Sequence, residues 1–291
     1  MNQPNIIETN PEQLRSVKDA FIKDGPDKLH ILADFDRTLT KAYVRGQATS
    51  SLISILRDEN YLTPDYPAKA KTLYKKYHAI ETDPGVPLEE KKKAMREWWS
   101  KHFELLIASG LTKKDIELAM LKSGRVELRE GAGEFLDILN QQNIPLIIMS
   151  SSGLGSDSIS LFLHKENKLY KNIHIISNSF EWDNEGRAVA VHQPIVHMLN
   201  KDETVVKDFP CYSQIRDRKN VILLGDSEGD VGMIAGFDYD NLIKIGFLNE
   251  GTDERLEQFK RVYDIIIVND GTFEYPNRLI SEVIARQTSA G

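Results

Sequence analysis

Residues 29–38 read Leu-His-Ile-Leu-Ala-Asp-Phe-Asp-Arg-Thr, and this stretch decides the expected fold. Its mostly apolar first half stops abruptly at two aspartates, Asp34 and Asp36. Similar short apolar runs follow later in the chain, at Pro145 to Met149, Ile173 to Ile176, Val221 to Leu224, Leu242 to Phe247 and Ile265 to Val268. Such runs, rich in β-branched residues and separated by helical patterns, indicate strands buried on both faces of a parallel sheet. The sequence therefore predicts an α/β fold, a doubly wound parallel sheet.

Smaller elements frame this sheet. Asn10-Pro11, an N-cap followed by proline, opens a predicted helix that runs to about Lys23. The patterns at Ser156 to Asn167 and Gly229 to Ala235 indicate crossover helices. Phe180 to Val191, with Asp-Asn-Glu-Gly in its middle, predicts a β-hairpin.

One long region does not follow the alternation of strands and helices. Between about Ala42 and Arg129 we find no convincing strand, only helical patterns rich in Lys and Glu. The candidate helices are Ala48 to Leu56, Pro67 to Ile80, Leu88 to Ala108 and Lys113 to Ser123. We therefore expect a catalytic core formed by residues 1–41 and 130–291, and a helical cap, residues 42–129, inserted after the first strand to select the substrate.

Composition limits the functions that this chain can have. Of 291 residues, 41% are hydrophobic and 28% charged, and 37 basic against 44 acidic residues give a net charge of −7. This charge argues against a nucleic-acid polymer as partner. Cys211 is the only cysteine, which excludes an internal disulfide and a thiolate metal cluster. Because no stretch approaches the roughly 20 apolar residues of a membrane span, and the N-terminus lacks an apolar signal segment, we expect a cytoplasmic protein. We also expect a monomer or weak dimer.

Acidic and hydroxyl residues follow three of the predicted strands. They are Asp34 and Asp36 after the first, Ser150, Ser151 and Ser152 after the second, and Asp226 and Asp230 after Val221 to Leu224. A single aspartate at such a place is usually a helix N-cap or a turn residue. Three strand ends at one sheet edge, each followed by aspartates or serines, instead indicate a ligand site. Carboxylates crowded together need a cation, and hard oxygen donors favour Mg²⁺.

Two of these motifs resemble a known superfamily. Asp34-Phe35-Asp36-Arg37-Thr38 resembles the D-x-D-x-T signature of the haloacid dehalogenase superfamily, and Gly225 to Asp230 resembles its G-D-S-x-x-D metal motif. From about Asn10 to Ile284 the chain is similar to the cytosolic pyrimidine 5′-nucleotidase family (cytosolic 5′-nucleotidase type three). The segments that carry this resemblance are Tyr77 to Pro84, Glu97-Trp98-Trp99, Ser177-Asn178, His197 to Lys201 and Gly225 to Asp230.

The resemblance implies hydrolysis of a nucleoside 5′-monophosphate to nucleoside and phosphate. Asp34 would be the nucleophile that forms an aspartyl-phosphate, and Asp36 the general acid and base. Mg²⁺ would be held by Asp34, Asp36 through its main-chain carbonyl, Asp226 and Asp230. Lys201 falls at the family's phosphate-binding lysine, and both Ser150 and Ser151 fit its serine position. Ser150 is preferred because it comes first after the strand.

The resemblance also assigns recognition of the base to the cap. Glu81 matches the family's base-contacting glutamate, which suits an exocyclic amine or a ring N–H. Trp99 would stack on the base, with His102 nearby at a position where relatives have small residues. A tryptophan at the position of Trp99 is similar to the branch of the family that prefers 7-methylguanosine monophosphate. A tryptophan face suits that base, because aromatic faces attract cations. Arg37 departs from the usual apolar residue of the first motif. We expect pyrimidine monophosphates (CMP or UMP), with 7-methylguanosine monophosphate as the alternative.

Three other functions compete with this hypothesis. Another small-molecule phosphatase of the superfamily is disfavoured by the Glu81 and Trp99 segments. A nucleotide-binding module without catalysis is disfavoured by the intact set of aspartates and Lys201. A dinucleotide-dependent oxidoreductase is rejected, because Gly153-Leu154-Gly155 lacks the third glycine and follows a late strand.

Overall fold

The computed structural model describes residues 5–49, 52–58, 61–122, 124–201, 209–235 and 238–288. Within these ranges the strands, in chain order, are β1 (Ile6–Glu8), β2 (Leu29–Ala33), β3 (Tyr43–Val44), β4 (Gln47–Ala48), β5 (Leu146–Ser150), β6 (Ile173–Ser177), β7 (Phe180–Trp182), β8 (Ala188–Val191), β9 (Asn220–Gly225), β10 (Asn241–Leu248) and β11 (Ile265–Val268). Seven of them form one sheet in the order β1-β11-β10-β9-β2-β5-β6, and β3–β4 and β7–β8 form two ribbons. The sheet is parallel except for β1, which runs antiparallel to β11.

The central strands are buried along their whole length. Every residue of β2, β5 and β9 is buried, as expected for parallel strands covered on both faces. The six strands predicted for the sheet are confirmed, and so is the hairpin β7–β8. Strand β1 was not predicted, because its three residues at the sheet edge are too few to show a periodicity.

Helices cover both faces of the sheet. Those that the structure describes are α1 (Pro11–Asp24), α2 (Leu52–Asp58), α3 (Tyr66–Thr82), α4 (Leu88–Ala108), α5 (Lys113–Lys122), α6 (Ala132–Gln141), α7 (Gly155–Lys165), α8 (Tyr212–Ile215), α9 (Asp253–Val262) and α10 (Glu274–Thr288). The predicted cap of α1 is present, since the Asn10 side chain accepts a hydrogen bond from the Gln13 N–H at 3.2 Å. The crossover helix expected at Gly229 to Ala235 is a tighter 3₁₀ helix, Glu228–Ile234. None of the described helices has the length and apolar character needed to cross a membrane.

Helices α2 to α5 lie in the chain between β2 and β5, where the cap was expected. Two details of that prediction are wrong. The region contains the ribbon β3–β4, whose turn residues Arg45 and Gly46 have φ of 53° and 75°, the left-handed geometry of a tight hairpin. Because Ala48 pairs in β4, the helix predicted from Ala48 cannot begin there, and α2 is described from Leu52.

The chain passes between this helical segment and the sheet at two places that run side by side. The Lys41 N–H donates to the Glu127 carbonyl at 3.0 Å, and the Arg129 N–H donates to the Leu39 carbonyl at 2.9 Å. Buried residues of the helices, such as Ile55 and Phe103, belong to the same hydrophobic cluster as the sheet. The division into core and cap therefore stays a prediction.

Candidate active site

Two aspartates meet because β2 and β9 are neighbours in the sheet. Ala33 pairs with Leu224 in the parallel register, and the Asp34 N–H donates to the Leu224 carbonyl at 3.0 Å. Each strand then delivers its following residues, Asp34 and Asp226, to the same carboxyl edge. One carboxylate oxygen from each of Asp34, Asp226 and Asp230 lies within 4.8 Å of the others. The structure thus brings together the three carboxylates that the sequence singled out as metal ligands.

The position of Asp230 is set by the first turn of the 3₁₀ helix. Its Oδ2 accepts hydrogen bonds from the N–H groups of Asp226 (3.1 Å) and Ser227 (3.0 Å) and from the Ser227 hydroxyl (2.8 Å). Ser227 in turn caps this helix, forming a capping box with Asp230. A Cβ at Gly225 would lie 2.5 Å from the Asp230 Cβ, so only glycine allows this close approach. The turn leaves Asp230 Oδ1 facing the site.

Lys201 supplies a buried positive charge between two of the carboxylates. Its Nζ donates to Asp34 Oδ1 and, at 3.1 Å, to Asp230 Oδ1. The lysine side chain is only 4% exposed. Burial disfavours the ammonium, but the carboxylates of Asp230 and Asp34 outweigh burial and raise the pKa of Lys201 above its ordinary value. Lys201 is therefore cationic and in contact with Asp34.

Three carboxyl groups at this edge, those of Asp34, Asp36 and Asp226, hold their protons more tightly than usual. Burial raises the pKa of Asp34 well above its ordinary value; Lys201 opposes this shift, while Asp230 and Asp226 add to it. Burial, reinforced by the Asp230 carboxylate, raises the pKa of Asp226 to about 7. Burial also raises the pKa of Asp36 to about 6, against the charges of Lys201 and Arg37. A divalent cation would act in the opposite direction and stabilise the ionised carboxylates.

The chemistry of the donor set fits magnesium. Asp34, Asp226 and Asp230 offer hard carboxylate oxygens, and no sulfur or imidazole belongs to this group among the described residues. Oxygen donors alone are the ligands that Mg²⁺ takes in proteins. Asp34 and Asp230 are buried, so their charge has little access to solvent screening. These three residues could hold a divalent metal.

Asp36 and Arg37 lie in an irregular turn that follows β2. Within the turn Phe35–Leu39, Asp36 has ψ of 125° and Arg37 has φ of 61°, which breaks the helical geometry. The Arg37 N–H donates to the Thr40 hydroxyl at 2.9 Å, and the Arg37 guanidinium donates to the Thr49 carbonyl at 3.1 Å. This turn places Asp36 on the wall of a cavity beside the aspartate cluster.

The two candidate serines have different surroundings. The Ser150 hydroxyl is buried and accepts a hydrogen bond from the Ser152 N–H at 3.1 Å. Ser151 is partly exposed and lines the cavity that also contains Asp36. The geometry therefore favours Ser151 over Ser150 as the phosphate ligand, the reverse of the order expected from the sequence, and both assignments stay predictions.

Aromatic side chains from α3 and α4 form another wall of the same cavity. Tyr74, Trp98 and Trp99 line it together with Arg57 and His102. Trp98 and Trp99 stack on each other with ring centroids 5.7 Å apart and an interplanar angle of 18°. Trp98 is buried in a cluster with Tyr77 and Met95, whereas Trp99 is only partly buried. The cavity joins a flat aromatic surface to the edge that carries Asp36 and Ser151.

The remaining base-binding candidates separate in the structure. His102 lies on the cavity wall, but its Nε2 is 3.1 Å from the Tyr66 hydroxyl, and burial lowers the pKa of His102 to about 4. It is therefore a neutral ring at pH 7. Glu81 is paired with His78, Oε2 to Nδ1 at 2.9 Å, and is not among the described residues that line this cavity. Its role as a base contact stays a prediction.

Sequence reasoning did not single out four residues of the cavity wall, Ile53, Ser54, Arg57 and Tyr74. Tyr74 lies seven residues before Glu81 on the same helix, a spacing of about two turns that places both on one face. Arg57 follows the end of a predicted helix and carries no motif. The helical periodicity could have identified Tyr74, whereas Arg57 had no signal in the sequence.

Comparison with known proteins gives a consistent assignment. A family model described as Pyrimidine 5′-nucleotidase (UMPH-1) matches residues 37–284. The 7-methylguanosine phosphate-specific 5′-nucleotidase of Gallus gallus is 32% identical over 275 residues, 94% of this chain and 94% of that protein. The 7-methylguanosine phosphate-specific 5′-nucleotidase A of Xenopus laevis is 33% identical over 278 residues, 95% of each chain.

Solved structures agree with this result. The crystal structure of cytosolic 5′-nucleotidase IIIB bound to cytidine matches with a TM-score of 0.91 and 29% identity, covering 99% of this chain and 96% of that one. A haloacid dehalogenase (HAD) family hydrolase from Salmonella enterica matches with a TM-score of 0.57 at 16% identity, over 93% of this chain and 81% of that one, which shows the fold alone. Since the family model spans most of the chain and relatives above 30% identity cover nearly all of it, this chain belongs to the pyrimidine 5′-nucleotidase (UMPH-1) family and has the haloacid dehalogenase-like fold.

Proposed function

We propose that this protein is a magnesium-dependent 5′-nucleotidase, which hydrolyses nucleoside 5′-monophosphates to nucleoside and inorganic phosphate through an aspartyl-phosphate on Asp34. The observation that carries the proposal is the contact of Lys201 with Asp34 inside the aspartate cluster, next to an aromatic cavity. A phosphate bound there would meet a nucleophile, a cation and metal ligands, while its nucleoside faced aromatic rings.

Asp34 is the residue best placed to attack phosphorus. It is the first residue after β2, and its N–H is fixed to the neighbouring strand, so its carboxylate projects from a rigid element. In the first step a carboxylate oxygen of Asp34 forms a bond to phosphorus, and the bond from phosphorus to the ribose 5′-oxygen breaks. In the second step water attacks the same phosphorus, which releases phosphate and restores Asp34.

Asp36 moves the protons in both steps. With a pKa raised to about 6, a useful fraction of its carboxyl groups is protonated near neutral pH. The proton passes to the departing 5′-oxygen in the first step. The resulting carboxylate takes a proton from the attacking water in the second step, so the cycle closes with Asp36 protonated again.

Charge on the phosphate is offset by the metal and by two side chains. Mg²⁺, held by Asp34, Asp226, Asp230 and the Asp36 carbonyl, would polarise the phosphate oxygens and stabilise the charge of the transition state. Lys201 donates to the same oxygens, and Ser151 is the serine that the cavity geometry favours as a second donor. Loss of one such donor typically raises the barrier by about 3–4 kcal/mol.

The preferred base is either a pyrimidine or 7-methylguanine. Our proposal is a pyrimidine, CMP or UMP, and the cytidine-bound relative supports this proposal. The second candidate, 7-methylguanosine monophosphate, is supported by the specificity for which the Gallus gallus and Xenopus laevis relatives are named. It is also supported by the stacked Trp98 and Trp99, since aromatic faces attract a cationic base. We further propose a cytoplasmic location. We also propose that the protein is a monomer or weak dimer, and sedimentation would test this oligomeric state.

Measurements of phosphate release would test the proposed reaction, its metal dependence and the preferred base. CMP, UMP, AMP, GMP, 7-methyl-GMP and p-nitrophenyl phosphate would be compared with Mg²⁺ and with EDTA, using wild type and Asp34→Asn. We expect metal-dependent turnover of one nucleotide class, abolished in Asp34→Asn. Faster turnover of p-nitrophenyl phosphate than of every nucleotide would instead indicate another small-molecule phosphatase of the superfamily.

A further inference from the structure

A buried arginine lies directly behind the turn that carries Asp36. Arg129 is 2% exposed, and its guanidinium group lies 4.4 Å from the centroid of the Phe247 ring. It makes five hydrogen bonds as donor: Nε to the Thr38 carbonyl (2.9 Å), Nη1 to Asp270 Oδ1 (2.7 Å) and the Gly271 carbonyl (2.9 Å), and Nη2 to Asn249 Oδ1 (2.8 Å) and the Arg37 carbonyl. A guanidinium has five N–H donors, so each of them is used.

These acceptors belong to parts of the chain that are distant in sequence. The carbonyls of Arg37 and Thr38 come immediately after Asp36, whereas Asn249 and Asp270 follow β10 and β11. Asn249 reinforces the arrangement, because its Nδ2 donates to the same Arg37 carbonyl at 3.0 Å. Arg129 therefore fixes the turn after Asp36 to two loops at the carboxyl edge of the sheet.

Arg129 lies in one of the two segments that lead into the helical region and contacts the other. Its own N–H binds Leu39, next to the first crossing segment, and its partner Asp270 accepts from the N–H groups of Ala42 (2.9 Å) and Tyr43 (3.2 Å). The guanidinium group thus lies where the turn after β2, the sheet and the two segments that lead into the helical region meet.

The turn needs such support because of its backbone geometry. Arg37 has φ of 61°, a left-handed conformation that is uncommon for a residue other than glycine and persists only where surrounding contacts hold it. Its carbonyl is held twice, by Arg129 and by Asn249. If those contacts were lost, the turn could relax and Asp36, the preceding residue, would move.

We propose that Arg129 is a positioning residue that holds Asp36 in place for proton transfer, acting through the carbonyls of Arg37 and Thr38. The inference rests on the proposed function, because it takes Asp36 as the general acid. A displacement of about 1 Å at a reacting group can reduce the rate on the order of 100-fold.

The dependence on the leaving group separates positioning from simple stability. A ribose 5′-oxygen needs the proton of Asp36 to leave, whereas p-nitrophenolate leaves without much help. We expect Arg129→Lys to lower kcat for the preferred nucleotide on the order of 100-fold with little change in KM. With p-nitrophenyl phosphate, the same variant should form the phospho-enzyme at nearly the wild-type rate, seen as a rapid burst of p-nitrophenol.

Two further variants keep the test decisive. Asn249→Ala removes a contact to the Arg37 carbonyl from a partly exposed loop, so it should fold and lower nucleotide turnover roughly tenfold. Arg218→Lys is the matched control, since Arg218 also donates to main-chain carbonyls, of Pro26 and Leu29, but at the opposite edge of the sheet. It should leave both reactions unchanged.

The proposal is overturned if folded Arg129→Lys and Asn249→Ala keep wild-type kcat for nucleotide, whatever their melting temperatures. An equal fall in nucleotide turnover and in the p-nitrophenol burst would also overturn it, because the defect would then lie outside proton transfer. Failure of the proposed function gives a different result: wild type would release phosphate from none of the nucleotides, while the burst would still compare the variants.

Discussion

Replacing Lys201 with methionine is expected to destabilise the metal-free protein and to make its stability depend on Mg²⁺. Lys201 is 4% exposed and contacts Asp34 and Asp230, whose side chains are 7% and 3% exposed. Methionine fills similar space but leaves these buried carboxylates without their cation. Breaking a buried ion pair in this way typically costs about 3–5 kcal/mol. Proton uptake by Asp34, whose pKa burial already raises, would reduce this cost at lower pH.

A matched control is available at the surface. Lys168 also forms a close ion pair, with Nζ 2.6 Å from Asp137 Oδ2, but the two side chains are 22% and 36% exposed. Exposed pairs contribute about 0.2–1 kcal/mol. Lys168→Met should therefore cost far less than Lys201→Met, although Lys168 Nζ donates to both oxygens of Asp137.

Urea unfolding at pH 7 would measure both variants in EDTA and in Mg²⁺. We expect the free energy of unfolding of Lys201→Met to fall by about 3–5 kcal/mol in EDTA. Mg²⁺ at 100 times its dissociation constant should restore about 2.7 kcal/mol. Equal destabilisation of the two variants in EDTA, or no response of Lys201→Met to Mg²⁺, would refute the argument that Lys201 offsets the charge of the aspartate cluster.

Three further predictions concern single residues. Asp36→Asn should lower nucleotide turnover by about 10²–10⁴-fold while leaving a p-nitrophenol burst, measured by stopped flow. Ser151→Ala should raise the barrier by about 3–4 kcal/mol, and Ser150→Ala by clearly less; equal kcat/KM losses would contradict the cavity geometry. The pKa of His102 is lowered from 6.5 to about 4, so between these pH values the folded state binds fewer protons than the unfolded state. The free energy of unfolding therefore falls as the pH drops through this range. His102→Gln should flatten that fall by up to about 1.4 kcal/mol per pH unit in urea titrations, and an unchanged slope would show that His102 is not the group responsible.

Much of the sheet could be predicted because its strands are buried on both faces. Burial of this kind leaves continuous apolar runs such as Leu29–Ala33, which the structure reproduces residue for residue. Strand β1 has no such signal, since pairing with β11 rather than composition makes Ile6–Glu8 extended. The ribbon β3–β4 was missed for a similar reason: each strand has two residues, and the turn at Arg45 lacks the usual asparagine or aspartate.

The aspartates of the site could be predicted for a topological reason. In a parallel sheet, residues that follow neighbouring strands meet at one edge, so the sequence alone predicts that Asp34 and Asp226 lie close together. Lys201 is different, because it lies in a loop between distant strands and only the family resemblance singled it out. The choice between Ser150 and Ser151 depends on which of the two hydroxyls accepts the hydrogen bond from the Ser152 N–H. No sequence pattern specifies this.

The covalent step on Asp34 is the central claim, and an acid-quenched reaction tests it most directly. Enzyme in turnover with its preferred nucleotide and Mg²⁺ would be quenched, digested and examined by mass spectrometry. We predict that the peptide containing Asp34 gains the mass of one phosphoryl group, and that Asp34→Asn shows neither this peptide nor phosphate release. Rapid phosphate release by Asp34→Asn, with no phosphorylated peptide in wild type, would contradict the account.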